Sequence, residues 1–264
     1  MRLHYTDEGQ GEAVLLVHGF AVGSDMNWRY TGVAQVLRKR YRVIGIDMRG
    51  HGLSGAPERP EDCGLEMVED LARLLDHLGI EKAHVVGYSM GGFITLRFVA
   101  THPERILCAI PSAAGWEEVN EENLALLDSI ADSLASGGGF VPLVKHLEAG
   151  EGEPNATRVA IINRVLCFFN REKPLAHVMR AFHEFAVEKE ALRKNRVPVL
   201  SIAGDRDPLC TGVETLTDTM ANQRTCIIKG GDHLSTLVSR AYIENVLAFL
   251  SEHGGANSRT EAAR

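Results

Sequence analysis

Gly87-Tyr88-Ser89-Met90-Gly91-Gly92 sets one serine among glycines directly after the run Ala83-His84-Val85-Val86. Phe93-Ile94-Thr95-Leu96-Arg97-Phe98-Val99-Ala100 follows and reads as a helix with little polar surface. A strand that turns straight into a helix with serine at the turn is a nucleophile elbow, Gly-x-Ser-x-Gly. The glycines remove side chains that would collide there, and a strained backbone lifts the serine oxygen clear of the sheet. The N-terminus of the next helix favours negative charge developing beside it. This pattern suits nucleophilic attack by Ser89 on a carbonyl; the competing reading is a serine that merely caps a buried helix.

A serine hydroxyl is a weak nucleophile until a base accepts its proton, and that base needs a carboxylate to orient it. Behind an elbow of this kind the partners follow in the chain order serine, acid, histidine. Of eleven histidines only His233 and His253 lie beyond the acid candidates Asp205 and Asp207. His253 stands beside Gly254-Gly255, where its position could not be held to the tolerance catalysis requires. His233 follows a strand and the pair Gly230-Gly231, so its backbone is anchored and its ring can lean over the crevice; it is the expected general base. The acid is open between Asp205 and Asp207 in Gly204-Asp205-Arg206-Asp207-Pro208. Asp232 adjoins His233, and neighbouring side chains diverge, so it is a poor orienter.

These residues need a scaffold. Ala13-Val14-Leu15-Leu16-Val17 is apolar throughout, as expected for a strand covered on both faces. It ends at His18-Gly19-Phe20, where a glycine lets backbone N–H groups face the crevice in which open α/β sheets bind ligands. That loop suits one half of an oxyanion hole, with His18 bracing it rather than acting as a base. Asp47-Met48-Arg49-Gly50-His51-Gly52-Leu53-Ser54 is glycine-rich but lacks the Gly-Lys-Ser/Thr of a phosphate loop, and His51 is expected to order it by hydrogen bonding. Strands are predicted at 3–6, 13–17, 41–46, 83–86, 106–110, 197–202 and 225–228. Helical patterns at 27–40, 67–78, 93–100, 213–220 and 243–250 alternate with them, which implies a mainly parallel sheet. From 117 to 190 only helical patterns occur, read as an insertion over the functional edge of the sheet. The expected organisation is a core of 1–116 and 191–253, a cap of 117–190 and a disordered tail of 254–264.

The chain of 264 residues fits one domain with an insertion. A net charge of -7, and no basic cluster larger than Arg38-Lys39-Arg40, argue against a nucleic-acid partner. Five cysteines without Cys-x-x-Cys spacing speak against a disulfide framework or a thiolate metal site and for a reducing, cytoplasmic setting. The N-terminus carries no apolar signal core, and no apolar run approaches the ~20 residues of a membrane span.

The His18-Gly19-Phe20 loop, the loop from 47 to 54, the elbow and the late Gly-Asp-x-Asp and Gly-x-His loops resemble the α/β-hydrolase superfamily, in its esterase and lactonase branches, over nearly the whole chain. The resemblance implies an α/β fold with a mostly parallel sheet flanked by helices and topped by a helical cap. It places the acid at the third position after the loop glycine, Asp207, leaving Asp205 as a supporting loop residue. It also implies an oxyanion hole of the Phe20 and Met90 backbone N–H groups. Trp28 and Tyr88, with the Phe20 side chain, are expected to line the substrate pocket. The implied activity is cofactor-independent and metal-free: cleavage of a small-molecule carboxylic ester or lactone through an acyl-enzyme. Perhydrolysis and carbon–carbon bond hydrolysis or lysis use the same triad, whereas epoxide and haloalkane hydrolases of this superfamily carry an aspartate where Ser89 stands. A ligand-binding receptor with a vestigial triad is the alternative outside catalysis.

Overall fold

Apolar runs without polar alternation form the middle of the molecule because both faces of their sheet are covered. The computed structural model describes residues 1–116, 119–149 and 154–254. β2 (Ala13–Val17), β4 (Ala83–Tyr88) and β6 (Val199–Gly204) are buried at every position. With β1 (Tyr5–Gly9), β3 (Arg42–Ile46), β5 (Ile106–Ser112) and β7 (Gln223–Ile228) they make one sheet of seven strands among the described residues, ordered β1-β3-β2-β4-β5-β6-β7. β1 runs antiparallel to β3, and every other neighbouring pair is parallel. The first strand begins later than expected and runs on through Glu8 and Gly9, because Asp7 holds the Arg42 guanidinium and Gly9 pairs with Arg42 across the ladder.

Side chains alternate between the two faces. Leu15, Ile44 and Val85 meet α2 (Leu65–His77) and α3 (Met90–Thr101) in one apolar layer. Val14, Leu16, Val43 and Val86 meet α1 (Val33–Leu37) and α11 (Arg240–Glu252) in the other. The helical pattern of 27–40 is broken into a π-turn, Asp25–Arg29, and the short α1, because Gly32 sits between them with φ 88°.

Between β5 and β6 lie α4 (Glu121–Ser136), α5 (Val141–Glu148), α6 (Ala156–Phe169), α7 (Glu172–Arg180), a 3-10 turn (Phe182–Phe185) and α8 (Lys189–Lys194). Asn120 and Asn155 start α4 and α6 by accepting from the N–H groups of Asn123 and Arg158. Ile130, Leu134, Val144 and Met179 join the apolar layer of α2 and α3, so these helices share its core. Polar contacts hold them down as well: Arg97 donates to the Ala186 carbonyl, Trp116 Nε1 to that of Val187, and Glu184 accepts from the Leu65 N–H. Residues 117–118 and 150–153 of the expected cap, and the expected tail beyond Gly254, fall outside the described residues. α9 (Cys210–Thr219) and α10 (Ser235–Val238) follow β6 and β7. No helix among the described residues is long and apolar enough to cross a membrane.

Trp28 corrects the sequence reading. It is fully buried in the layer of Val33, Leu37 and α11, so it fills core instead of lining a pocket. Trp28→Ala should lower the unfolding free energy by about 3–5 kcal/mol in urea titrations; unchanged stability would mean that Trp28 does not fill core.

Candidate active site

Ser89 has φ 53° and ψ -119°, a strained combination for a residue with a side chain. The turn closes this tightly because backbone occupies the space of two absent side chains. A Cβ at Gly87 would meet the Gly91 carbonyl, and one at Gly91 would meet the carbonyl of Val17 on β2. The Ser89 N–H donates to the Ser112 carbonyl at 2.8 Å, and its carbonyl accepts from Gly92 and Phe93. Elbow, β5 and α3 are thereby one rigid unit.

His233 Nε2 stands 3.0 Å from Ser89 Oγ, and His233 Nδ1 stands 2.8 Å from Asp207 Oδ2. Both His233 and Asp207 are buried, and Asp207 Oδ1 also accepts the Leu209 N–H at 3.0 Å. An ionised carboxylate can only accept, so Nδ1 carries the ring hydrogen and Nε2 is left to take the serine proton. Asp205 points elsewhere: it accepts the Gly230 N–H at 2.7 Å and fastens the acid loop to the histidine loop. Asp232 accepts from the Leu234 and Ser235 N–H groups and pairs with Arg158 of α6 at 3.2 Å. Partial burial opposes its charge, but Ser235, Arg158 and Leu234 outweigh that and hold its carboxyl down at about 2.

Tyr88 is a second correction. On β4 it shares the parity of Val86, so its ring enters the layer opposite α3, beside Tyr242, and it does not line the cavity above Ser89. Its hydroxyl donates to the His233 carbonyl at 2.7 Å. Burial, then the nearby Asp207 charge, push the phenol far above its ordinary range, so it remains a donor. The residue expected to touch substrate instead pins the backbone of the base. Parity along the strand was the signal that could have shown it.

The loop after β2 approaches the elbow closely: a Cβ at Gly19 would lie 3.5 Å from that of Ser89. Three side chains fix this loop. Asn27 accepts the Gly19 N–H at 3.0 Å, Asn170 at the end of α6 donates to the Ala21 carbonyl, and His18 accepts the Met48 N–H through Nε2. His18 Nδ1 therefore carries hydrogen and donates to the Gly19 carbonyl at 2.7 Å. Burial lowers the His18 pKa against the opposing pull of that carbonyl and Asp47. His51 packs against His18 and the Phe20 ring, donates to the Arg49 carbonyl, and is pushed down to about 3 by burial and then by His18. Phe20 follows Gly19 on this loop, and Met90 opens α3, where the first N–H groups have no partner within the helix.

Ser89 opens into a cavity of about 550 Å³ walled by Phe20, Leu127, Leu143, Met179 and Phe182, with His146 among its few polar side chains. No Lys or Arg is among the described residues that line it. No group of three His, Cys, Asp or Glu among the described residues is disposed to hold a metal ion.

A family model for the alpha/beta hydrolase fold matches residues 12–149, more than half of the chain. The chain belongs to that family. A stretch of 106 residues, 39% of the chain, is 41% identical to 37% of a 2-hydroxy-6-oxo-6-phenylhexa-2,4-dienoate hydrolase from Burkholderia cepacia. Another of 107 residues, 40% of the chain, is 36% identical to 19% of bifunctional epoxide hydrolase 2 from Sus scrofa. The matched stretches thus span well under half the length of these relatives. A thermophilic esterase from Thermogutta terrifontis shares the fold with a TM-score of 0.80 at 23% identity, over 96% of this chain and 94% of that one.

Two outcomes follow from the buried donors. Tyr88→Phe should lower kcat at unchanged KM and reduce stability by about 0.5–1.5 kcal/mol. His51 stays neutral when folded but takes a proton near pH 6.5 when unfolded, so stability falls as pH drops from there toward 3. His51→Gln should remove up to about 1.4 kcal/mol per pH unit of that slope, read from urea midpoints across the window; an unaltered slope would mean that His51 contributes none of it.

Proposed function

We propose that this protein is a serine hydrolase that cleaves carboxylic esters, lactones among them, whose acyl part is apolar. The observation that carries this reading is the hydrogen-bonded relay Asp207–His233–Ser89 ending at the floor of an apolar cavity that has no described cationic side chain. Ser89 Oγ attacks the ester carbonyl carbon as His233 Nε2 takes its proton. The backbone N–H groups of Phe20 and Met90 receive the negative charge that develops on the carbonyl oxygen. His233 returns the proton to the leaving alcohol, with Asp207 steadying the imidazolium. Water, deprotonated by His233, then attacks the acyl-enzyme, and His233 passes that proton to Ser89 Oγ as the bond to the acyl group breaks and the acid leaves. Residues 117–190 serve as the cap, supplying much of the apolar wall and limiting access of bulk water.

Carbon–carbon bond hydrolysis is the second reading, favoured by the identity to the Burkholderia cepacia hydrolase. The substrate in that protein's name is a dienoate, a carboxylate, and burying one here would leave its charge without a described counter-ion. Epoxide opening through a carboxylate nucleophile does not fit a serine at position 89.

On p-nitrophenyl esters from acetate to octanoate, Ser89→Ala should lower kcat by roughly 10⁶. A fluorophosphonate probe should label the wild type once and this variant not at all. Retained turnover in Ser89→Ala, or faster cleavage of a dienoate than of any ester, would overturn the proposal.

A further inference from the structure

α5 contributes one polar side chain, His146, to the wall of the Ser89 cavity, between the apolar Leu143 and Leu147. The ring is half-buried, and neither nitrogen has a hydrogen-bond partner among the described residues. The ring nitrogens are not sealed in the apolar wall, so a polar group on a molecule that enters the cavity can take the place of water as their partner. His183, also on the cavity wall, differs: it is exposed and its Nδ1 already meets the Arg180 carbonyl.

A structural role at the helix end does not account for His146. The last turn of α5 favours a cation, and Lys145 supplies one from the exposed side. Burial, and then the charge of His233, lower the His146 pKa against a smaller opposing pull from Asp207. The ring is therefore neutral near pH 7 and can both donate and accept. Those same partners place it on the base-and-acid side of the cavity, where Pro208 and Leu209 of the acid loop also form the wall. The leaving alcohol must lie on that side, because it takes its proton from His233.

We propose that His146 is a specificity-determining residue that hydrogen-bonds an uncharged polar group, a hydroxyl or ether oxygen, on the alcohol portion of the ester. This rests on the esterase reading above and narrows it: the preferred substrates are esters of polyols or similar oxygen-bearing alcohols with apolar acids, in preference to simple alkyl esters.

Butyl butanoate and glycerol monobutanoate share an acyl group and differ in the alcohol, so they separate this role from catalysis. His146→Leu should lose about five- to tenfold in kcat/KM on the glycerol ester, mainly through KM, and change less than about twofold on the butyl ester. His146→Gln, which keeps a donor and an acceptor, should recover most of the loss. Circular dichroism and thermal melts check that each variant is folded. Equal losses on both esters, or none on the glycerol ester, would overturn the assignment of His146 while leaving the esterase reading intact. A wild type that cleaves neither ester would overturn both.

Discussion

The carbonyl of Val17 lies where a side chain at position 91 would have to be. That close approach of the first turn of α3 to β2 is the constraint on which the site depends. It brings Ser89 at the end of β4 against the loop after the neighbouring, parallel β2, where the proposed nucleophile meets the proposed oxyanion loop. Asp207 and His233, the proposed acid and base, follow β6 and β7, also parallel and adjacent. Four side-chain or backbone functions therefore meet at one rim because their strands end in the same direction. The strain at Ser89 persists because β5, α3 and β2 all fix the turn that contains it.

The helices between β5 and β6 do more than roof the cavity. α6 reaches the site at both ends: Arg158 near its start pairs with Asp232, the neighbour of His233, and Asn170 at its close holds the Ala21 carbonyl beside the oxyanion loop. Arg158 also pairs with Glu148 at the end of α5, which joins the helix carrying His146 to the same network. α6 thus ties the loop that carries His233 to the loop that follows β2. Preorganisation of this sort lets donors meet charge without rearranging during the reaction.

Much of this was legible in the sequence, for identifiable reasons. The inner strands could be read because buried parallel strands are apolar throughout, whereas the edge strands β1 and β7 are only partly buried and mix polar residues in; the elbow could be read because few turns admit serine between glycines. Asp205 and Asp207 could not be separated by residue type or by position after the strand; the resemblance pointed to Asp207, and what distinguishes them in space is direction. One side chain turns to a backbone N–H at Gly230, the other to an imidazole. Trp28 and Tyr88 were assigned to the pocket for lying near functional loops in sequence, whereas strand parity and the layer under β2 put both on the opposite face. His146 carried no spacing signal at all, since a single histidine in a helical pattern resembles any other polar position until the cavity is seen.

The clasp between Arg158 and Asp232 holds α6 to the loop after β7. With the Asp232 carboxyl held at about 2, protonation leaves the clasp closed throughout mildly acidic solution. Its Arg158 side is 42% exposed, so dissolved ions reach it and weaken the attraction. Ionic strength, more than acidity, is then the solution variable that weakens this contact between α6 and the loop that carries His233.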